Sequence, residues 1–97
     1  MENDKLKFKR DFKKRLYDVT LKLLKMTDSF PKNNVARRLG DQLIRSGTSV
    51  IANYVEGLSA STRREFTNYM TISLKSTNES KLWLCLLRDS KTGTPKY

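Results

Sequence analysis

The sequence predicts an all-α fold: an up-and-down antiparallel helical bundle with three long helices, one domain over residues 1–88, and a flexible polar tail over 89–97. Three observations predict it. Apolar residues recur at steps of three and four, the period of a helix face and not of a strand. Breakers and caps interrupt the chain twice, at connections short enough to make consecutive helices antiparallel neighbours. The 97 residues suffice for a single domain, and a chain of that size hides only about 60 to 65% of the surface it exposes when unfolded, so the core should be thin.

The first helix is expected over about 5–29. Phe12, Leu16, Val19, Leu23, Met26 and Phe30 form one stripe, widened by Tyr17, Leu21 and Leu24. Pro31 lacks an amide hydrogen and restricts Phe30, which stops the helix near Ser29, and Asn33 or Asn34 can then cap the next one. The second helix is expected over 35–57 and should end at Gly57, a residue that tolerates the left-handed conformation of a helix C-terminus. The third is expected over 62–88. Its start, Thr62-Arg63-Arg64-Glu65, fits a capping box, in which the threonine oxygen and the glutamate each take one orphan amide.

Helix two carries two faces. At 100° per residue, Leu39, Leu43, Gly47, Val50, Ile51, Tyr54, Val55 and Leu58 fill an arc of roughly 160°, which must meet at least two neighbours. Gln42, Ser46, Ser49, Asn53 and Glu56 form a second stripe at steps of four and three, the spacing of an interhelical seam with every member polar. Two readings stand: the border of a solvated face, or a close-packed polar contact in which small serines allow near approach. Glu56 faces the negative end of the helix dipole, so Arg63, Arg64 or the free amides of helix three are expected to compensate it.

Helix three ends in Leu82-Trp83-Leu84-Cys85-Leu86-Leu87, apolar all the way round. Two helices of the same chain cannot cover every side of it, so Leu82, Trp83, Leu86 and Leu87 are expected to meet either another helix or another subunit. Cys85 is read as a small buried hydrophobe.

What the chain lacks excludes several functions. It has no histidine and one cysteine, which removes the usual neutral-pH base, an intrachain disulfide and any zinc site built from cysteine pairs. No phosphate-cradling loop and no nucleophile-base pair is present, so neither enzyme activity, cofactor, metal nor small-molecule substrate is expected. The longest apolar run has six residues against roughly 20 for a membrane span, and the amino terminus is charged, so a cytoplasmic protein without membrane attachment is expected.

The charge points to an anionic partner. Twenty Lys and Arg against ten Asp and Glu leave a net charge of +10. Lys7, Arg10, Lys13, Lys14, Arg15, Lys22 and Lys25 crowd helix one, Arg37 and Arg38 open helix two, and Arg63 and Arg64 open helix three. Positive charge at a helix start opposes the dipole, so those arginines do not serve helix stability. Solvated surface and phosphate contact are the two readings.

The order Gln42, Arg45-Ser46, Ser49-Val50, Asn53, Glu56-Gly57, then Thr62, Glu65-Phe66, then Ile72, Ser76 and Glu79, resembles the four-helix-bundle proteins encoded in 23S rRNA intervening sequences. The accessory protein of diversity-generating retroelements is similar to them. The resemblance spans about residues 8–88. It implies a bundle that assembles into a ring-shaped homopentamer with no known catalytic activity, and, for the retroelement relative, binding to nucleic acid and to a reverse transcriptase. It makes Gln42, Ser46, Ser49, Asn53, Glu56, Gly57, Glu65, Phe66, Ser76 and Glu79 a signature of architecture. The chain departs from the pattern at Ser59-Ala60, where relatives have Gly-Arg, and at Lys75, where they tend to have glycine. The family's fourth helix is also missing after Leu87, which suggests a truncated or frameshifted reading frame. The resulting expectation is a homo-oligomer that binds RNA or DNA through phosphates. The alternative is an adaptor whose main partner is a protein such as a reverse transcriptase.

Overall fold

A computed structural model describes residues 3–92. It contains α1 (Asp4–Asp28), α2 (Asn34–Leu58) and α3 (Arg63–Thr92), in up-down-up order with no strand among the described residues. Each start is capped as its sequence allows. Asn3 Oδ1 accepts the Leu6 amide at 2.8 Å, and Asn33 Oδ1 accepts the Ala36 amide at 2.8 Å. Thr62 Oγ1 accepts the Glu65 amide at 3.1 Å while the Glu65 carboxylate accepts the Ser61 amide at 3.4 Å, so the capping box forms and reaches one residue before the cap. Caps of this kind are each worth about 1 kcal/mol.

Two ends differ from expectation. Gly57 does not terminate α2 in the left-handed region: the helix continues to Leu58, and Ser59 caps it at φ −97°. The glycine is needed for space. A Cβ there would stand 2.5 Å from Met70 Cε and 3.1 Å from Tyr69 Cβ, so α3 crosses α2 closely at this point. In addition, α3 runs to Thr92, so residues 89–92 are helical and not tail. Apolar periodicity stops at Leu87, but nothing from Arg88 to Thr92 breaks a helix, and the loss of periodicity marks the loss of burial alone. The rest of the expected tail, residues 93–97, lies outside the described residues.

Both other helices pack on α2. α3 lies antiparallel along one side and α1 along another, and no Cα atom of α1 comes within 8 Å of one in α3. The molecule measures 52 × 26 × 24 Å, a cross-section about two helix diameters square, with three of its four corners filled. Leu43 is completely buried at the centre, with Ala36 and Tyr54 nearly so. The Phe12 ring meets Tyr54 edge-on at 5.1 Å between centroids, Leu23 packs on Gly47, and Phe30 packs on Gly40. Burial pushes the Tyr54 phenol above its ordinary pKa.

α1 buries no residue fully. Phe12, Leu16, Leu23 and Phe30 are half-buried against α2, whereas Val19, at 62% exposure, and Met26, at 39%, turn toward the open corner. The expected stripe of α1 therefore serves two directions, one of them unfilled.

The two glycine environments generate a prediction. Gly57→Ala gains about 1 kcal/mol of helix propensity, but the Tyr69 Cβ is fixed by its backbone and cannot retreat, so overpacking should win by roughly 1 to 2 kcal/mol. Gly40→Ala places its Cβ 3.5 Å from the Phe30 ring, an ordinary contact, and should stabilise the fold. Urea unfolding of both variants beside the parent measures the difference.

Candidate functional site

The polar stripe of α2 packs against α3. Facing it, α3 presents Ser73, Ser76 and Ser80 at helical spacing, and short side chains on both helices let the backbones approach. Ser73 Oγ donates to the Val50 carbonyl at 2.8 Å, Ser76 Oγ donates to Ser49 Oγ at 2.9 Å, and the hydroxyls of Ser46 and Ser80 lie 2.7 Å apart. Either hydroxyl of that last pair can donate, since each also reaches a carbonyl of its own helix, Leu43 at 3.4 Å from Ser46 and Ser76 at 2.8 Å from Ser80. Ser46 is fully buried and Ser73 and Ser76 nearly so, and no buried side-chain polar atom among the described residues lacks a partner.

The remaining signature residues have separate roles. Asn53 bonds within α2, to the Ser49 carbonyl at 2.8 Å and to Ser49 Oγ at 2.9 Å, which holds the serine in place instead of crossing the interface. Phe66 is half-buried beside Gly57. Gln42 and Glu56 are exposed, so the two readings of the stripe divide along its length: a close-packed contact at Ser46 and Ser49, a solvated border at its ends. The expected compensation of Glu56 is absent. Among the described residues its carboxylate makes no hydrogen bond or ion pair, and it faces solvent, where water screens it.

A polar knot closes the edge of the seam. Arg45 donates to Gln42 Oε1 at 2.9 and 3.1 Å and pairs with the Glu79 carboxylate, which also accepts the Trp83 indole N–H at 3.2 Å. Sequence reasoning gave Glu79 only a place in the signature and Arg45 no role, since nothing short of the interhelical register reveals that positions 45 and 79 are opposite each other.

The basic residues expected to contact phosphate are all exposed: Lys7, Arg10, Lys13, Lys14, Arg15, Lys22, Lys25, Arg37, Arg38, Arg63 and Arg64. Few are engaged by carboxylates of the chain. Lys14 pairs with Asp18 at 3.3 Å and Arg10 with Asp11 at 3.6 Å, while Arg38 Nε donates to Asn34 Oδ1 at 3.2 Å. The four helix-opening arginines do not form one patch. Antiparallel order brings Arg63 and Arg64 to the end where α1 begins, beside its densest run of lysines, and sends Arg37 and Arg38 to the opposite end, about 37 Å away along a 25-residue helix.

The apolar run of α3 also divides. Trp83 and Leu87 are half-buried against α2, Leu82 and Leu86 lie on the outer face with Ile72, and Leu84 borders the open corner. Leu82 and Leu86 therefore cannot contact a helix in that corner, because they point away from it. Leu84, not among the residues expected there, can. Cys85 is exposed, not buried as expected, since at 100° per residue it falls outside the face that α2 covers.

No group of His, Cys, Asp or Glu among the described residues could hold a metal, and no described helix is long and apolar enough to cross a membrane. A family model described as 23S rRNA-intervening sequence protein matches residues 9–96. No curated protein and no solved structure matched the chain.

The seam generates its own prediction. Ser46→Ala and Ser80→Ala should each cost about 1 kcal/mol, and a double-mutant cycle should return a coupling of about 0.5 to 1.5 kcal/mol. Ser46→Leu should cost more than either, because its bulk has nowhere to go between two backbones in contact. Chemical denaturation of the four variants measures all three quantities.

Proposed function

The chain belongs to the 23S rRNA-intervening sequence protein family, and from that premise we propose that it is a non-enzymatic basic helical-bundle oligomer that holds RNA or DNA through phosphate contacts. The carrying observation is that all eleven candidate cations are exposed and few are paired internally, so their charge is available to a polyanion. The end formed by the starts of α1 and α3 is the main contact. There Lys7, Arg10, Lys13, Lys14, Arg15, Arg63 and Arg64 lie within about four turns of helix of one another along the bundle axis.

Assembly multiplies the effect. The ridge of Ile72, Leu82 and Leu86 on the outer face of α3 is 45, 52 and 42% exposed, and association through it removes that apolar surface from water. Five copies, the number the family resemblance implies, carry a charge of about +50, enough to retain nucleic acid by counterion release without reading bases. The protein acts in the cytoplasm on this reading and needs no cofactor.

A gel-shift titration against a structured RNA and a DNA duplex should show binding that weakens steeply as salt rises. Arg63→Glu/Arg64→Glu should lower the slope of log affinity against log salt by about 2, and Arg37→Glu/Arg38→Glu by less. Absence of binding at low salt, or full binding at high salt, would refute the reading. In native mass spectrometry the parent should be oligomeric and Leu82→Glu/Leu86→Glu monomeric, and a monomeric parent would remove the assembly from the proposal.

A further inference from the structure

The uncovered sides of α1 differ in charge. Asp4, Asp11 and Asp18 recur every seven residues, so these carboxylates share one side of the helix. At 100° per residue that side stands roughly 100° to 140° round from Tyr17. On the Tyr17 side the first carboxylate of α1 is Asp28, about 16 Å farther along the axis. Tyr17, expected within the apolar stripe, is instead 57% exposed, because it lies about 140° from Phe12, the residue that meets Tyr54.

Its neighbours on that side are of two kinds. Lys13 and Lys14 stand one turn before Tyr17 and Arg10 two turns before it, all three exposed, and Leu21 stands one turn after it, 38% exposed. Lys13 makes no ion pair among the described residues. The Lys14–Asp18 and Arg10–Asp11 pairs are exposed and weak in water, so both cations can exchange a carboxylate for a phosphate. A nucleotide has the same two halves, a flat base with apolar faces and an anionic phosphate. An unpaired base laid on Tyr17 and Leu21 would keep its phosphates within reach of Lys13, Lys14 and Arg10. A duplex gains nothing from the ring, since its base faces are stacked on one another and only base edges and phosphates are accessible.

Phe8 is the other strongly exposed ring among the described residues, at 66%, and its surroundings differ. It stacks on Phe12 at 5.8 Å between centroids, and Asp4 and Asp11, one turn away on either side, repel phosphate. We infer that Tyr17 is a base-stacking residue, through which the phosphate-binding end selects single-stranded nucleic acid over duplex. The inference rests on the phosphate-contact reading above. It adds the strandedness of the ligand, and it adds no sequence preference, because every base presents a flat face.

Fluorescence anisotropy with a labelled oligouridine of about 16 nucleotides, and with an RNA duplex of the same length, tests this on the whole chain. Tyr17→Ala should weaken the single strand at least tenfold and the duplex less than twofold, with the salt slope of binding unchanged. Tyr17→Phe should retain the affinity of the parent, and in Tyr17→Trp the single strand should quench the added indole fluorescence. Phe8→Ala should leave the single strand unaffected. Equal affinity of Tyr17→Ala and the parent for the single strand would overturn the stacking role and leave the phosphate contacts standing, whereas a parent that binds neither nucleic acid would overturn both. An equal loss of duplex binding would also overturn it. So would a changed oligomeric state of Tyr17→Ala in native mass spectrometry, or Tyr17-dependent binding to phosphatidylglycerol vesicles in place of RNA, which would make the ring a subunit or a membrane contact.

Discussion

The close antiparallel approach of α2 and α3 is the constraint on which the rest of the molecule depends. It is made by subtraction of side-chain bulk: Gly57 at one end and serines through the middle bring two backbones together, and the hydroxyls satisfy one another once water is excluded. Apolar residues of the same size could fill the space, but they would not choose a register. Because Ser73, Ser76 and Ser80 repeat at one-turn spacing, a one-turn slip of α3 would still set serine against serine but would separate Arg45 from Glu79. The Arg45–Glu79 pair and the Trp83 indole reinforce the same register from the solvent edge.

Fixing α2 against α3 leaves α2 with one broad apolar face, and α1 takes part of it through Phe12 and Leu23, with Phe30 of the following turn. The consequence is an L-shaped arrangement whose inner angle is apolar on both arms. A molecule with so thin a core has little stability to spare, and exposing Val19, Met26, Leu74 and Leu84 to water gives up burial worth roughly 1.5 to 3 kcal/mol per fully covered side chain. The helices that define the opening are thus the ones whose stability depends most on what occupies it. α1 is the least buried element of the three.

Charge is distributed on a different principle from packing. The seam and the core contain almost no unpaired charge, while the chain carries twice as many cations as anions, most densely over the first half of α1. Basic residues at the starts of α2 and α3 act against the helix dipole, so the fold does not account for their placement.

The helices themselves were legible in the sequence. Period, the Pro31 break, the Asn33 cap and the Thr62–Glu65 capping box are local signals, carried by residues within a few positions of one another, and local hydrogen bonding answers to them directly. Exposure of the cations was legible for the same reason, since a charged side chain in water needs no partner. Tertiary structure alone decided what depends on which helix faces which. Gly57 looked like a terminator and is a contact point, Leu82 and Leu86 looked like companions of Leu87 and are exposed where Leu87 is half-buried, and Arg45 finds a carboxylate 34 positions away. A helical pattern states that a face must be covered without saying by what, because burial lowers the free energy of an apolar stripe equally against any partner; only the register set by the serine seam assigns each stripe its neighbour and leaves one corner open.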